Sequence, residues 1–537
     1  MTRTTDETTL LPRQAVPPAG AGRRLDDLDE TERYAVFDEL QRRMPDVWRS
    51  IQSDVADESV VVVPSVSLSM TSAGSGTLMQ AMEERALFLL LLLRQPRLRM
   101  IYVTSAPIAE EVVEYYLGLL PGVIPSHARA RLTLLSVGDA SPTPLSEKLL
   151  ARPRLLRQIR ELVPNPLHSH LIPYNTTPLE RDVAVSLGIP MFGADPRLEP
   201  LGTKSGCRRL FRELQVPCPV GAEDLHGVDD LVDALVRMRR ERPSMTAAVV
   251  KLDEGVSGKG NALLHLHDLP ASGSAGEAAA LRERLRALEP EDESLDAPAY
   301  LALFAQQSGI VEERITGDDL TSPSVQMRVL PDGSVELLST HDQLLDGPSG
   351  QAYIGCRFPA DPSYSRLISE PAMVIGRHLA TLGALGRFAV DFVVVREGDT
   401  WTPYAIELNL RKGGTTHPFL TMQYLTDGSY DGLSGRFLTA NGAEKYLVAT
   451  DHLEDERLKA LTVGWLLDVV ATRRLHYDQA RECGVVLHMM SSLTECGRIG
   501  LTAVGDTADE AWLIYRDAER TILEEAEQAL ADGPLVG

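Results

Sequence analysis

The stretch from Phe388 to Pro418, FAVDFVVVREGDTWTPYAIELNLRKGGTTHP, constrains this chain more than any other. Two apolar runs flank a polar turn at Glu397 to Asp399, the pattern of a β-hairpin with a slightly long loop. Pairing symmetrical about that turn sets Asp391 opposite Glu407, and directly opposed side chains on one face lie about 5 Å apart. Asn409 shares the face of Glu407 by the two-residue period of a strand. A carboxylate inside AVDFVVV is costly unless it is paired or coordinated. Neither apolar run contains a lysine or arginine. Asp391, Glu407 and Asn409 are therefore expected to hold a divalent cation, with phosphate oxygens and water completing its shell. The alternative places both carboxylates in solvent at the end of an edge hairpin. Arg411, Lys412, Gly413 and Gly414 follow at once, putting a forked cationic donor and a flexible backbone where an anionic reaction centre would lie.

The chain of 537 residues is long enough for two to four domains with ample core. Its net charge of -23 argues against a nucleic-acid backbone or an anionic membrane as the general partner. The apolar run Ala86 to Leu93 falls far short of a bilayer span and reads as a buried helix. Residues 1–25 read as a disordered tail without a secretory signal. Five scattered cysteines with no CxxC pattern suit a reducing cytoplasm and argue against structural zinc.

Taken in order, SVVVV at Ser59 to Val63, MIYVT from Met100, RLTLLSVGD and HLIPYN alternate with helical segments, which predicts a parallel α/β layer over residues 26–200. The SAGSG loop at Ser72 to Gly76 reads either as a phosphate cradle or as a plain βα turn, since it lacks both the GxGxxG spacing and a Walker lysine. Asn175 and Thr176 stand at a strand end, where such layers bind ligands, or they serve as helix caps. Lys204 precedes a helix ending at Gln215. Then TAAVVKLDEGVSGKGNALLHL gives a strand carrying Lys251, a glycine loop and a returning strand. Gly255, Gly258 and Gly260 free the backbone to approach a phosphate, and Ser257 and Lys259 offer donors. Lys251, ending a VVK strand core, calls for an anion.

The stretch 270–298 reads as an exposed helical insertion or a partly disordered linker. In VEERI, Glu312 and the backbone that follows can meet an amino-purine edge, with Ile315 packed on its face. Arg328 either stabilises a transferred phosphoryl group or pairs with Glu336 across its hairpin. Gly347 to Pro359 reads as a loop in which Tyr353 and Arg357 are candidate substrate contacts, with Gly413 a third. Neither His417 nor His488 has a partner visible in the sequence, and both read as structural.

Read together and in this order, Lys204, VVKLDEGVSGKG, VEERI and the DF…IELNLR hairpin resemble the ATP-grasp superfamily over Gly202 to Gln423. Within it, EGVSGKGNALL, DQLLDGPSGQAYIGCRFP and VLHMMSSLTECGRIGLTAVG are most similar to the pheganomycin-type peptide ligases. The resemblance implies a mixed α/β and α+β architecture. A pre-ATP-grasp layer (26–200) would precede a small lid subdomain (201–316) and a large subdomain with a C-terminal extension (317–537), the nucleotide lying between the last two. It implies that Lys204, Lys251 and the 255–260 loop contact ATP phosphates, and that Glu312, Glu313 and Ile315 line the adenine. Asp391, Glu407 and Asn409 would hold one or two Mg2+ ions, with Mn2+ as a substitute, and Arg411 would face an acyl phosphate. Glu313 and Arg314 stand where neutral residues often follow the hinge glutamate. The implied reaction is ATP-dependent amide formation between a small-molecule or peptide carboxylate and an amine, in natural-product biosynthesis. A homodimer is compatible with the resemblance. The rivals are a kinase or a carboxylate–thiol ligase on the same scaffold, a nucleotide-binding protein without turnover, and a dehydrogenase built on the N-terminal layer, which the absent dinucleotide fingerprint weakens.

Overall fold

The computed structural model describes residues 25–53, 57–67, 76–255, 258, 260–317, 319–346, 350 and 352–532. The expected N-terminal tail (except Leu25), most of the SAGSG loop, Ser257 and Lys259 lie outside the described residues.

Near-continuous apolar runs form strands buried on both faces. Strands β1 (Glu58–Val63), β2 (Leu98–Thr104), β3 (Leu132–Ser136) and β4 (Ser169–Pro173) make a parallel sheet in the order β3-β2-β1-β4. From β1 the chain crosses to β2 on one side and later returns to β4 on the other. The switch point between β1 and β4 thus opens a crevice at their C-terminal ends. The run Ala86 to Leu93 is a largely buried helix as expected, of 3-10 form, Arg85–Arg94.

The second sheet is antiparallel, in the order β5-β9-β6-β7-β8, from β5 (Gly221–Leu225), β6 (Ala247–Leu252), β7 (Asn261–His265), β8 (Glu289–Pro290) and β9 (Gly309–Glu313). Its apolar face packs Ala248, Val250, Leu264 and Val311 against Leu231, Leu235 and Met238 of helix Val228–Glu241 and Tyr300 and Phe304 of helix Ala297–Gln307. The stretch 270–298 is a helical insertion rather than an exposed linker, because Leu281 and Leu285 are fully buried in this core.

The third sheet collects β10 (Asp319–Thr321), β11 (Pro323–Val329), β12 (Val335–Asp346), β13 (Ala352–Phe358), β14 (Gly386–Glu397), β15 (Thr400–Asn409), β18 (Tyr446–Glu454), β19 (Gly484–His488) and β20 (Arg498–Gly505). A separate ribbon pairs β16 (Ser429–Asp431) with β17 (Arg436–Leu438). The expected loop at 347–359 is largely strand β13. The run YIGCRF pairs there on both edges, and Gly355 lets the neighbouring strand approach, since a Cβ would stand 2.3 Å from the Ala449 carbonyl oxygen. Helix Pro362–Thr381 covers one face through Ile368, Ile375 and Leu379, and the long helix Ala508–Asp532 lies on β18 and β20.

A buried carboxyl sits beneath the parallel sheet. Glu83 accepts hydrogen bonds from the Ser105 amide and hydroxyl, both at 2.6 Å, and Lys148 Nζ lies 2.9 Å from the same hydroxyl. Burial raises the Glu83 pKa to about 7, against the opposing hydrogen bonds and Lys148. The folded pKa thus exceeds the unfolded value, so this contribution to stability is complete below about pH 4.5 and is lost as pH rises through 7. The difference in unfolding free energy between Glu83→Gln and the wild type, followed by urea titration, should therefore shift in favour of the variant by about 3 kcal/mol between pH 4 and pH 8.

Candidate functional site

The hairpin β14–β15 turns through two residues, Gly398 and Asp399, with Glu397 paired to Thr400 and Gly398 at φ +61°. This turn is tighter than the sequence suggests and by itself would set Asp391 opposite Ile406. A bulge corrects the register: Phe392 faces Ala405, Asp391 faces Glu407, and Ile406 is the extra residue. Asn409 Nδ2 donates to Asp391 Oδ2 at 2.9 Å, which leaves the Asn409 carbonyl oxygen available as a ligand. The three expected oxygen donors lie together.

A cation does reach these carboxylates, contrary to the expectation drawn from the strands alone. Lys204, the first residue of helix Lys204–Glu213, places Nζ 2.6 Å from Glu407 Oε1. Thr203 caps the helix by accepting from the Gly206 amide at 3.0 Å, and Asp253, at the base of the glycine loop, accepts from the Ser205 amide at 2.7 Å. Burial and the neighbouring Glu407 raise the Asp391 pKa. Burial also pushes Glu407 upward, but Lys204, Arg411 and Lys251 outweigh it and hold Glu407 below its ordinary value. The two carboxyls of the pair are thus pushed apart in pKa, Asp391 upward and Glu407 downward.

On the facing sheet the anion that Lys251 requires is Glu312. Val249 pairs with Glu312 and Lys251 with Ile310, so the two side chains are diagonal neighbours on one face, and they form a salt bridge. Glu312 Oε2 also accepts from Arg208 at 3.0 Å, and Arg208 donates to the Pro219 carbonyl at 3.0 Å. Arg208 was not singled out in the sequence, although it follows Lys204 by four residues and so shares its helix face.

A cavity of about 360 Å³ separates the two sheets. Lys204, Lys251, Gly255, Gly258, Glu312, Glu313, Ile315, Asp391 and Glu407 line it, together with Asn261, Gln343 and Phe392. Gly258 stands at φ +80° and Gly255 approaches Gly260 so closely that a Cβ there would lie 3.3 Å from the Gly260 Cα. A smaller recess of about 150 Å³ shares Gly255 and Glu407 with the cavity and opens at the β1/β4 switch point. Ser67, Asn175, Thr176, Asn409 and Arg411 line it. Asn175 accepts from the Ser67 amide at 2.9 Å, while its Nδ2, though buried, has no partner among the described residues.

Gly260 packs against Gly255 and Leu252 without lining either space, and four further expected residues lie elsewhere. Arg328 donates from Nε to Glu336 at 2.9 Å and stacks over Trp48, which is the cross-hairpin pairing rather than a place in the cavity. Arg357 is exposed and lies over the Trp512 ring at 4.6 Å. Tyr353 packs against Gly414, where a Cβ would stand 2.6 Å from its ring, and Gly413 donates its amide to Thr416 Oγ1 at 2.9 Å. None of the four lines the cavity or the recess.

The family described as IQCH-like, ATP-grasp matches residues 198–287 and 296–432, which span the Lys204 helix, the second sheet and the hairpin. This region is an ATP-grasp domain. The PGM1 C-terminal domain matches residues 466–517. The chain is 29% identical to L-propargylglycine–L-glutamate ligase of Streptantibioticus cattleyicolor, over 84% of this chain and 89% of that one. It is 25% identical to IQ motif-containing protein H of Danio rerio over 68% of its length, but spans 38% of that protein. In fold, the ATP-grasp domain and its neighbours resemble an N5-carboxyaminoimidazole ribonucleotide synthetase solved with ADP (TM-score 0.50, 11% identity, 88% of this chain and 98% of that one). They also resemble the biotin carboxylase domain of Hydrogenobacter thermophilus 2-oxoglutarate carboxylase, solved with MgADP, ADP and bicarbonate (TM-score 0.51, 12% identity, 86% and 89%). The described residues include no helix long and apolar enough to cross a membrane.

Two substitutions test the roles given to Arg208 and Arg357. Arg208→Met leaves Glu312 with one cation in place of two and should destabilise the fold by roughly 3 kcal/mol in urea titration. Arg357→Ala removes a surface stacking contact and should leave ADP affinity, measured by calorimetry, within about twofold of the wild type.

Proposed function

We propose that this chain is an ATP-dependent ligase that joins a carboxylate to an amine through an acyl phosphate, releasing ADP and phosphate. The observation that carries this reading is the pair Asp391 and Glu407, opposed on one wall of a cavity whose other wall presents Lys251. Amino acids are the substrates that fit best, since the ligase relative that matches 84% of this chain is named for joining two of them.

The donors on the hairpin suit a hard divalent ion: two carboxylates and an amide oxygen, with the like charges of Asp391 and Glu407 in need of a further cation. Bound there, Mg2+, or Mn2+ in its place, would neutralise phosphate charge. The chain's own groups account for the rest. Lys204 and Lys251 stand where phosphate oxygens would lie, and the backbone at Gly255 and Gly258 closes over them. Glu313 and Ile315 line the purine end, while Glu312 serves chiefly to hold Lys251 and Arg208. In this scheme a substrate carboxylate oxygen attacks the γ-phosphorus and the bond to the ADP oxygen breaks. The amine nitrogen then attacks the acyl carbon, phosphate leaves and the ammonium proton is lost. The recess beside Glu407 would hold the organic substrate, with Arg411 and the Asn175 amide as donors to an anionic group. Catalysis is then positioning and charge neutralisation, which needs no side-chain nucleophile.

In this reading the parallel layer, 26–200, supplies part of the substrate recess, and the two later sheets hold the nucleotide between them. All five cysteines are free, which accords with a reducing cytoplasm. The test is to incubate purified protein with Mg-ATP, a panel of L-amino acids including L-glutamate, and hydroxylamine, following nucleotide by phosphorus NMR. ADP with phosphate and an amino-acid hydroxamate is the expected result, and Asp391→Asn should cut the rate by at least ~100-fold. AMP with pyrophosphate would overturn the acyl-phosphate mechanism.

A further inference from the structure

His417, Asp451 and His488 meet at a point that neither the cavity nor the recess includes. His417 lies in the first turn of helix Thr416–Thr426, just beyond the Arg411 to Thr415 loop, Asp451 is on β18 and His488 ends β19. All three are buried, at 5%, 3% and 3% exposure. The contacts form a nearly equilateral triangle. His417 Nε2 lies 3.0 Å from His488 Nε2 and 3.2 Å from Asp451 Oδ1, and His488 Nε2 lies 2.9 Å from the same oxygen.

Protons alone serve this triangle poorly. Each imidazole nitrogen has one in-plane direction, carrying either a proton or a lone pair, yet each Nε2 here has two partners. If both rings donate to Asp451, two N–H groups face each other at 3.0 Å. If His417 instead accepts from His488, its lone pair faces the carboxylate oxygen at 3.2 Å. Its proton then sits on a buried Nδ1 that has no partner among the described residues. If His488 accepts, its lone pair faces the same oxygen at 2.9 Å.

One cation near the centre satisfies all three edges together. Donors about 2.05 Å from a zinc ion are about 2.9 Å apart at right angles and about 3.3 Å apart at the tetrahedral angle, the range spanned by these three contacts. We propose that His417, Asp451 and His488 form a second metal site, distinct from the oxygen-ligand site on the hairpin, that takes a borderline divalent transition ion, Zn2+ in the first place.

The surroundings fit that assignment. Arg85 NH1 contacts Asp451 Oδ2 at 2.5 Å and NH2 reaches the Tyr174 hydroxyl at 2.9 Å, so the carboxylate is held with Oδ1 turned to the histidines. Gly500, paired with His488 across the ladder, leaves the ring its place, since a Cβ there would lie 2.0 Å from Nε2. The ion would pin the helix that follows Arg411 to β18 and β19 and so position the recess loop.

The site does not depend on the proposed ligase activity, and neither does its test. Wild-type protein in excess Mg2+ is titrated with Co2+, then with Zn2+, and the zinc retained after gel filtration is measured by mass spectrometry. Intense visible d–d bands from Co2+, displaced by Zn2+, and about one zinc per chain are expected. His488→Gln and Asp451→Asn, checked for native circular dichroism, should lose both signals. A wild-type Co2+ spectrum no different from the aqua ion would overturn the proposal without recourse to any variant. So would zinc retention unchanged in both folded variants.

Discussion

Two like-charged carboxylates held face to face are the constraint on which the rest of this structure depends. Strand pairing alone would not create the Asp391–Glu407 opposition, because the two-residue turn at Gly398 sets the register one position off, and the bulge at Ile406 restores it. Once opposed, the pair needs positive charge that the strands do not contain. It comes from the helix Lys204–Glu213, which contacts both sheets. Lys204 reaches Glu407 on the hairpin, and Arg208, one turn later, reaches Glu312 on the second sheet. Each sheet therefore presents a carboxylate, half-buried Glu407 and buried Glu312, to the same helix face, and the spacing of the two cations along that face fixes where the sheets stand. The cavity is what remains between them.

The parallel layer enters this arrangement through its topology. Because β1 is flanked by β2 on one side and β4 on the other, the segments leaving β1 and β4 diverge, and Ser67 and Asn175 line the gap. That gap opens on Asn409 and Arg411, so the hairpin that offers ligands on one side offers a donor toward the recess on the other. Lys412 strengthens the junction: its amide bonds the Tyr174 carbonyl at 3.4 Å and its ammonium the Pro173 carbonyl. Burial beside Arg387 lowers the Lys412 pKa to about 7, the consequence of placing a lysine where the hairpin meets the parallel layer, against the Pro173 carbonyl oxygen.

The sequence reveals the chemistry better than the places where chain segments far apart meet. Apolar periodicity located the parallel strands, and the residue types in AVDFVVV and AIELN located the carboxylate pair, because a charge inside an apolar run is improbable without a purpose. Arg357 and Tyr353 illustrate the limit. A glycine-rich segment reads as a loop, but YIGCRF pairs along both edges, and a strand inside a sheet sends alternate residues to opposite faces, so Arg357 emerges over Trp512. Arg328 carried two readings that differ only in what crosses the hairpin, and the pairing with Glu336 is the one formed. His417 and His488 were beyond the reach of pattern altogether: 71 residues apart, on a helix and a strand, they meet only because β18 and β19 flank β20.

The buried lysines pose a final question of charge balance. Lys204 and Lys251 are each fully engaged with a carboxylate, so a nucleotide does not find vacant cations. A polyphosphate with a divalent ion, however, carries both signs. The phosphate oxygens can take over Lys204 as the ion takes over Glu407, and neither charge need be left alone in a low-dielectric cavity. Glu312 differs, because Arg208 still neutralises it when Lys251 turns away. An arginine cannot lose its charge and binds its carboxylate from a fixed fork, so it is the better permanent partner, while a lysine, a single point charge on a flexible stem, is the better exchangeable one. The division of labour along this helix, with lysine toward the exchanging pair and arginine toward the fixed one, follows from what each side chain can do.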